Sequence, residues 1–140
     1  MEIRAFQAGD RAAVVDLWQR CQLVVAHNNP QRDIDRKLQK DGELFLVGVI
    51  AGEVVASVMA GYEGHRGWVN YLAVAPERQK QGLGRALMVE VEQLLLARGC
   101  PKINLQIRTS NRHVIEFYRA LGFIEDKVVS LGKRLITDNE

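Results

Sequence analysis

The chain has 140 residues, 47% apolar and 26% charged, which fits one compact domain over residues 1–140 and excludes a disordered or fibrous chain. A formal charge of +2 is too small for a dedicated nucleic-acid binder, so no nucleic-acid partner is expected. Cys21 and Cys100 fall in no metal or CxxC spacing, Met1-Glu2-Ile3-Arg4 lacks the start of a signal peptide, and no apolar run approaches the ~20 residues of a membrane span. The expectation is a cytoplasmic protein with neither disulfide, metal nor membrane partner.

Ile3 to Phe6 reads as an opening strand. Asp10 is placed to cap a helix from Arg11 to about Leu23, with Val14, Leu17, Trp18 and Cys21 on one face. His27-Asn28-Asn29-Pro30 interrupts it, and a second helical stretch runs through Ile34 and Leu38 to about Lys40. Leu44 to Ile50 and Val54 to Tyr62, separated by Ala51-Gly52-Glu53, predict a β-hairpin. Gly64-His65-Arg66-Gly67 makes a second turn, and Trp68 to Val74 is the next strand, which Pro76 prevents from extending.

Leu83, Leu87, Val91, Leu94 and Leu95 predict an amphipathic helix from Gly84 to Arg98, stopped by Gly99 and Pro101. Ile103 to Ile107 supplies a strand, and strand, helix and strand in that order make a right-handed crossover between parallel strands. The earlier hairpins are antiparallel, so the sheet is mixed. Ser110 or Asn111 starts a last helix to Leu121, Gly122 ends it, and Phe123 to Glu125 with Val128 to Leu135 are predicted to complete the sheet.

Gln79-Lys80-Gln81-Gly82-Leu83-Gly84 lies between a predicted strand and a long helix, where unpaired amides and the helix dipole favour an anion. Glycine at 82 and 84 removes Cβ atoms that would hold phosphate oxygens off the backbone, while Lys80 and Arg85 are secondary contributors. Taken alone, the motif reads equally well as a glycine turn before a helix. No GxxxxGK[ST] is present and Gly82-Leu83-Gly84-Arg85-Ala86-Leu87 lacks the third glycine of the dinucleotide fingerprint, so neither ATP nor NAD is favoured.

With these residues the chain resembles the GNAT acetyltransferase superfamily: Gln79, Gly82 and Gly84 match its Q/R-x-x-G-x-G/A signature, and Leu72-Ala73-Val74 the strand before it. Asn111, Phe117-Tyr118 and Leu121-Gly122-Phe123 match its second motif. Asn28-Asn29-Pro30, Asp33-Ile34, Arg36-Lys37, Gly64-His65-Arg66-Gly67 and Ser130-Leu131-Gly132-Lys133-Arg134 look like a small bacterial subgroup of undefined substrate.

The resemblance implies an α/β fold with a mixed sheet of roughly six to seven strands flanked by about four helices. It implies acetyl-CoA as acyl donor, an amine acceptor, direct attack on the thioester in a ternary complex, and no covalent intermediate on Cys21 or Cys100. It places the CoA pyrophosphate on Gln79, Lys80, Gln81, Gly82, Leu83, Gly84 and Arg85, and pantetheine along Leu72, Ala73 and Val74, where the resemblance implies that the strand bends at a bulge and splays from the next parallel strand. Asn111 contacts pantetheine or caps its helix; Tyr118 hydrogen-bonds the CoA sulfur, as general acid or donor to the thiolate, or else packs beside Phe117. A homodimer built on the Val128 to Leu135 edge is a further expectation.

Many members of the superfamily carry a carboxylate near the start of the third strand, where this chain reads Arg66-Gly67-Trp68-Val69-Asn70. Glu63 and His65 flank the adjacent turn and are the candidate bases acting through water, with Asn70 and Tyr71 to orient it, although exposed turn residues of these types are usually structural. Acceptor selectivity is expected from Val24 to Pro30 and Glu63 to Trp68, with His27, Asp33 and Asp35 as candidates. The competing reading is a non-catalytic acyl-CoA-binding or sensing module.

Overall fold

The computed structural model describes residues 1–139. Strands β1 (Glu2–Ala5), β2 (Phe45–Ile50), β3 (Glu53–Tyr62), β4 (Gly67–Val74) and β5 (Ile103–Asn104) form one five-stranded sheet in chain order. Neighbours from β1 to β4 are antiparallel, and β5 is parallel to β4. Helices α1 (Arg11–Arg20), α2 (Pro30–Asp41), α3 (Leu83–Ala97) and α4 (Arg112–Ala120) flank it.

The period-2 alternation of β3 divides the core between the two faces of the sheet. Ala56, Val58 and Ala60 pack with Leu87, Met88, Val91 and Leu95 of α3 and Tyr118 of α4. Val55 and Met59 pack on the other face with Val14, Leu17 and Trp18 of α1 and Ile34 of α2. The helices thus bury the apolar stripes that their spacing predicts.

Element boundaries differ from expectation where side chains find other partners. Asp10 makes no cap bond to α1; its carboxylate instead accepts from Arg4 at 2.7 and 3.0 Å and from the Gln7 amide at 2.8 Å. Helix α1 stops at Arg20 because the chain turns through Gln22 at φ 60°.

The largest departure is C-terminal: among the described residues, neither Phe123 to Glu125 nor Val128 to Leu135 forms a strand. β5 pairs with β4 over two residues only, which leaves no long edge for another strand to follow. Val128, Val129, Leu131 and Leu135 are exposed, so their apolar character answers no core face. The strand edge expected to support a homodimer is therefore not formed. Side chains hold the segment instead: Asp126 accepts from Lys102 and Asn104, and Asp138 from Arg36 at 2.7 and 2.9 Å.

Candidate functional site

The site begins with a strand that changes partner halfway along. At its first residues β4 pairs with β5, Gly67 opposite Ile103 and Trp68 opposite Asn104, and the Gly67 amide donates to the Lys102 carbonyl at 2.8 Å. Glycine is required there, since a Cβ would stand 2.8 Å from the Cys100 Sγ and 3.0 Å from a Leu95 methyl. Farther along, Asn70 faces Met59 and Ala73 faces Ser57, so Tyr71 and Leu72 together oppose Val58 alone. This is a β-bulge, with Tyr71 at φ 53°, and it bends β4. Past Trp68 no ladder joins β4 to Leu105–Ile107, and the two parallel strands part towards their carboxyl ends. A crevice at that end of parallel strands is where open α/β sheets receive ligands.

The N-terminus of α3 closes the mouth of this opening. From Val74 the chain passes through a 3₁₀ turn at Pro76–Arg78, then Lys80 at φ 63° and Gly82 at φ 80°. The first bond of the helix ladder runs from the Ala86 amide to the Gly82 carbonyl at 3.1 Å, which leaves the Leu83, Gly84 and Arg85 amides ahead of it. No side chain caps this terminus and its first turn carries no acid.

The two glycines have different roles. Nothing lies within 4 Å of a Cβ at Gly82, so that glycine serves the left-handed backbone and leaves open space in front of the amides. A Cβ at Gly84 would come within 3.2 Å of the Phe117 ring and 3.7 Å of Val74. Gly84 is thus the point at which α3, α4 and the end of β4 meet, and that contact brings the two sequence motifs to one place.

Tyr118, next to Phe117, has a buried ring set edge-on to Phe117 and Phe123 at centroid separations of 5.0 and 5.3 Å. Among the described residues no group bonds its hydroxyl, yet that oxygen is not among buried unpartnered atoms, so it reaches the surface. Burial pushes the phenol well above its usual range, which keeps it protonated and a hydrogen-bond donor. Asn111 stands at the N-cap of α4 without a side-chain cap bond, and its exposed amide makes no hydrogen bond among the described residues. Gln79 donates to the Val74 carbonyl at 3.2 Å, as does the Cys21 thiol, whose pKa burial raises.

Arg78, Lys80 and Arg85 around the α3 terminus, with Arg108 and Arg112 where the chain leaves β5 and enters α4, take part in no ion pair among the described residues. Elsewhere Arg4, Arg11, Arg20, Arg32, Arg36 and Lys37 are paired, while Lys40, Arg66, Lys127, Lys133 and Arg134 likewise take part in no ion pair among the described residues. Unneutralised cations beside free amides suit a polyanion.

A model of the Acetyltransferase (GNAT) family matches residues 11–123. The chain belongs to the GNAT acetyltransferase family. It is 50% identical over 141 residues to Acetyltransferase SG1711 of Sodalis glossinidius, covering 100% of this chain and 99% of that protein. Its fold superimposes on the ribosomal-protein-S18-alanine N-acetyltransferase from Escherichia coli with a TM-score of 0.73 at 28% identity, over 90% of this chain and 79% of the other. The aminoglycoside acetyltransferase AAC(6')-Iy, solved with a bisubstrate analog of CoA, has a similar fold at a TM-score of 0.76 and 20% identity, over 95% and 97% of the two chains. GNAT enzymes use acetyl-CoA and act on amines, and this chain is an acyltransferase of that type.

Glu63 and His65 do not join this GNAT site. They precede β4 at the end where β5 is still paired, and six residues of strand at about 3.3 Å each separate Gly67 from Ala73, roughly 20 Å. Glu63 accepts from the His65 and Arg66 amides, and those bonds hold its carboxyl below the usual range, as in a turn-capping carboxylate rather than a base. A cavity of about 620 Å³ lined by Arg36, Leu135 and Asp138 contains none of the residues at the opening.

Several contributors escaped sequence reasoning. Arg108 and Arg112 carried a legible signal, namely basic residues before and inside a helix's first turn with no acid to offset them. Ser57 and the left-handed backbone of Tyr71 carried none of their own, since they act through contacts distant in sequence, although the family resemblance implies a bulge in this strand.

No helix is long and apolar enough to cross a membrane, and no cluster of three or more His, Cys, Asp or Glu side chains suited to a metal occurs among the described residues.

Proposed function

We propose that this GNAT chain, acting as one domain over residues 1–140, transfers acetyl from acetyl-CoA to a primary amine by direct attack in a ternary complex. The observation that carries the reading is the parting of β4 from β5 directly before the uncapped, basic N-terminus of α3. Gln79, Lys80, Gln81 and Gly82 lead into the amides of Leu83, Gly84 and Arg85, which would receive the pyrophosphate. Each hydrogen bond to a charged group contributes roughly 1.5 to 3 kcal/mol against 0.3 to 1 for the helix dipole, so converging amides dominate anchoring.

The backbone of Leu72, Ala73 and Val74 and the Asn111 amide would flank pantetheine. An amide near Val74 aimed at the developing oxyanion contributes roughly 3 to 4 kcal/mol. As the amine nitrogen bonds the acetyl carbon, the carbon–sulfur bond breaks and CoA leaves as thiolate, which takes up the proton the nitrogen sheds to give the amide and free CoA thiol. Tyr118, held neutral by burial, stabilises that sulfur as a hydrogen-bond donor.

With Glu63 and His65 remote, neither base offered by the sequence stands at the opening, and the acceptor must arrive largely neutral. Presenting an alkylamine of pKa about 10.4 neutral at pH 7 costs about 4.6 kcal/mol, whereas an α-amine near 7.8 costs about 1. An α-amino acceptor is therefore favoured, in keeping with the alanine N-acetyltransferase that is 28% identical. The same remoteness favours, as a second reading, a module that binds acyl-CoA without turning it over.

Titration calorimetry with acetyl-CoA on the wild type and on Gly82→Trp tests the cradle. Affinity should fall on the order of 100-fold, because the indole fills the space before two or more anchoring bonds and strains a left-handed residue; undiminished binding sinks the cradle. An amine panel led by α-amines then divides the readings. Turnover that drops roughly 10- to 100-fold in Tyr118→Phe supports catalysis, while binding with no turnover leaves the binding module.

A further inference from the structure

The bulge that bends β4 is held by side chains from outside the two GNAT motifs. Ser57 of β3 is fully buried in an otherwise apolar cluster with Trp18, Val55 and Met59, a costly place for a hydroxyl unless it is bonded at both ends. It is so bonded: the Trp18 Nε1–H donates to the Ser57 Oγ at 2.8 Å, and the Ser57 hydroxyl donates to the Tyr71 carbonyl at 3.0 Å. That carbonyl belongs to the bulged residue, whose place opposite Val58 is shared with Leu72.

Tyr71 is fixed at two further points. Its ring lies on Trp18 at a centroid separation of 3.8 Å and an interplanar angle of 12°, and its hydroxyl donates to Asp33 of α2 at 2.5 Å. A tyrosine at φ 53° is uncommon and persists only where its surroundings over-determine it. Of the three restraints, only Ser57 acts on the backbone itself.

The bulge sets the phase of everything after it. In a regular strand, residues an odd number apart face opposite sides and aim their amides at opposite edges. Here Val69 packs on the α3 face, and so do Leu72 and Val74, three and five residues later, while Ala73 packs on the α1 face. Without the extra residue, Leu72 and Val74 would exchange faces with Ala73, and the amides now aimed at the opening would aim at β3.

We infer that Ser57 is a positioning residue: by taking the Tyr71 carbonyl it fixes the bulge, and thereby which amides of Leu72 to Val74 meet the thioester. The inference rests on the acetyl-transfer reading above. It concerns geometry at the reacting end and leaves the pyrophosphate cradle at residues 79–84 untouched.

Ser57→Ala removes the hydroxyl with little change of volume, and Ser57→Thr restores it. Three readouts separate positioning from folding: amide hydrogen exchange over residues 70–74 in the free protein, calorimetric affinity for acetyl-CoA, and kcat and KM for an amine found active with wild type. The expected result for Ser57→Ala is faster exchange confined to residues 70–74, affinity within about threefold of wild type, and kcat lower by about 10- to 100-fold at similar KM, with recovery in Ser57→Thr. Should Ser57→Ala fail to fold, Ser57→Cys, a weaker donor of similar size, should show the same division with a smaller loss. Wild-type exchange and kcat in Ser57→Ala, or a fall in kcat matched by affinity and melting temperature, would overturn the inference alone. A wild type that does not bind acetyl-CoA overturns the acetyl-transfer reading first, and the role of Ser57 in it as a consequence.

Discussion

The N-termini of α2 and α3 obey opposite rules. At α2, the Asn29 side chain accepts from the Gln31 and Arg32 amides at 3.1 and 3.2 Å, Pro30 fills the first helical position, and Asp33 stands in the first turn. Every local preference for starting a helix is met within the chain. At α3, the residue before the helix is a left-handed glycine without a cap bond, and the first turn carries Arg85 and no acid. A cation at the positive end of a helix is unfavourable by itself and becomes favourable once an anion lies between the two. α4 repeats the second pattern in milder form, with an unbonded Asn111 cap followed by Arg112 and His113. α1 also lacks a side-chain cap bond and a first-turn acid, so what sets α3 apart is the left-handed Gly82 with open space in front of the amides, an arrangement suited to an anion.

The contrast is sharpened most by reversing the charge at α3. Arg85→Glu should weaken acetyl-CoA binding by about tenfold or more, because a carboxylate replaces a cation beside the pyrophosphate. The same variant should gain a few tenths to about 1 kcal/mol of stability in denaturant, since an acid now meets the helix dipole. Calorimetry and urea unfolding on one preparation read both. If stability rises while affinity is unchanged, the terminus is an ordinary helix start. At α2 the opposite result is expected: Asn29→Ala should lose about 1 kcal/mol of stability as its cap bonds vanish and leave acetyl-CoA affinity unchanged.

Much of this was legible in the sequence, for identifiable reasons. The glycine turn into α3 could be read because its signals are local: two glycines, a helix start and a preceding strand occupy one short stretch. Tyr118 could be placed because its motif neighbour Phe117 reaches Gly84, so that two sequence-local signals converge in space. The bulge is implied by the family resemblance, near Leu72 to Val74, and by nothing local: no feature of Asn70-Tyr71-Leu72 marks a tyrosine for a left-handed backbone. The restraint on it comes from Ser57 and Trp18, and those two residues are separated by 39 positions. The C-terminal strands misled for the opposite reason: apolar, β-branched composition is a necessary condition for a strand, but a partner edge is needed as well, and β5 supplies only two residues of ladder.

The two ends of β4 offer the finest test. At its start, Gly67 lets β5 pack close and the strands stay paired; at its end, the bulge parts them. Glu63 belongs to the first end. Its carboxylate is depressed chiefly by the Arg66 amide and then by the His65 amide, so its ionised form favours the folded turn. A depressed carboxyl contributes stability above its unfolded-state pKa, about 4.3, and that contribution disappears as pH falls through the lower folded value. Glu63→Gln should therefore melt below wild type at pH 6 to 8, and the difference should close as the solution is acidified below pH ~4. Turnover should stay within about twofold of wild type over the neutral range, because a side chain roughly 20 Å along the strand cannot reach the amine proton. Loss of the acidic limb of the pH–rate profile in Glu63→Gln would instead put the carboxylate in a water relay to the opening, and the two ends of β4 would have to be treated as one site.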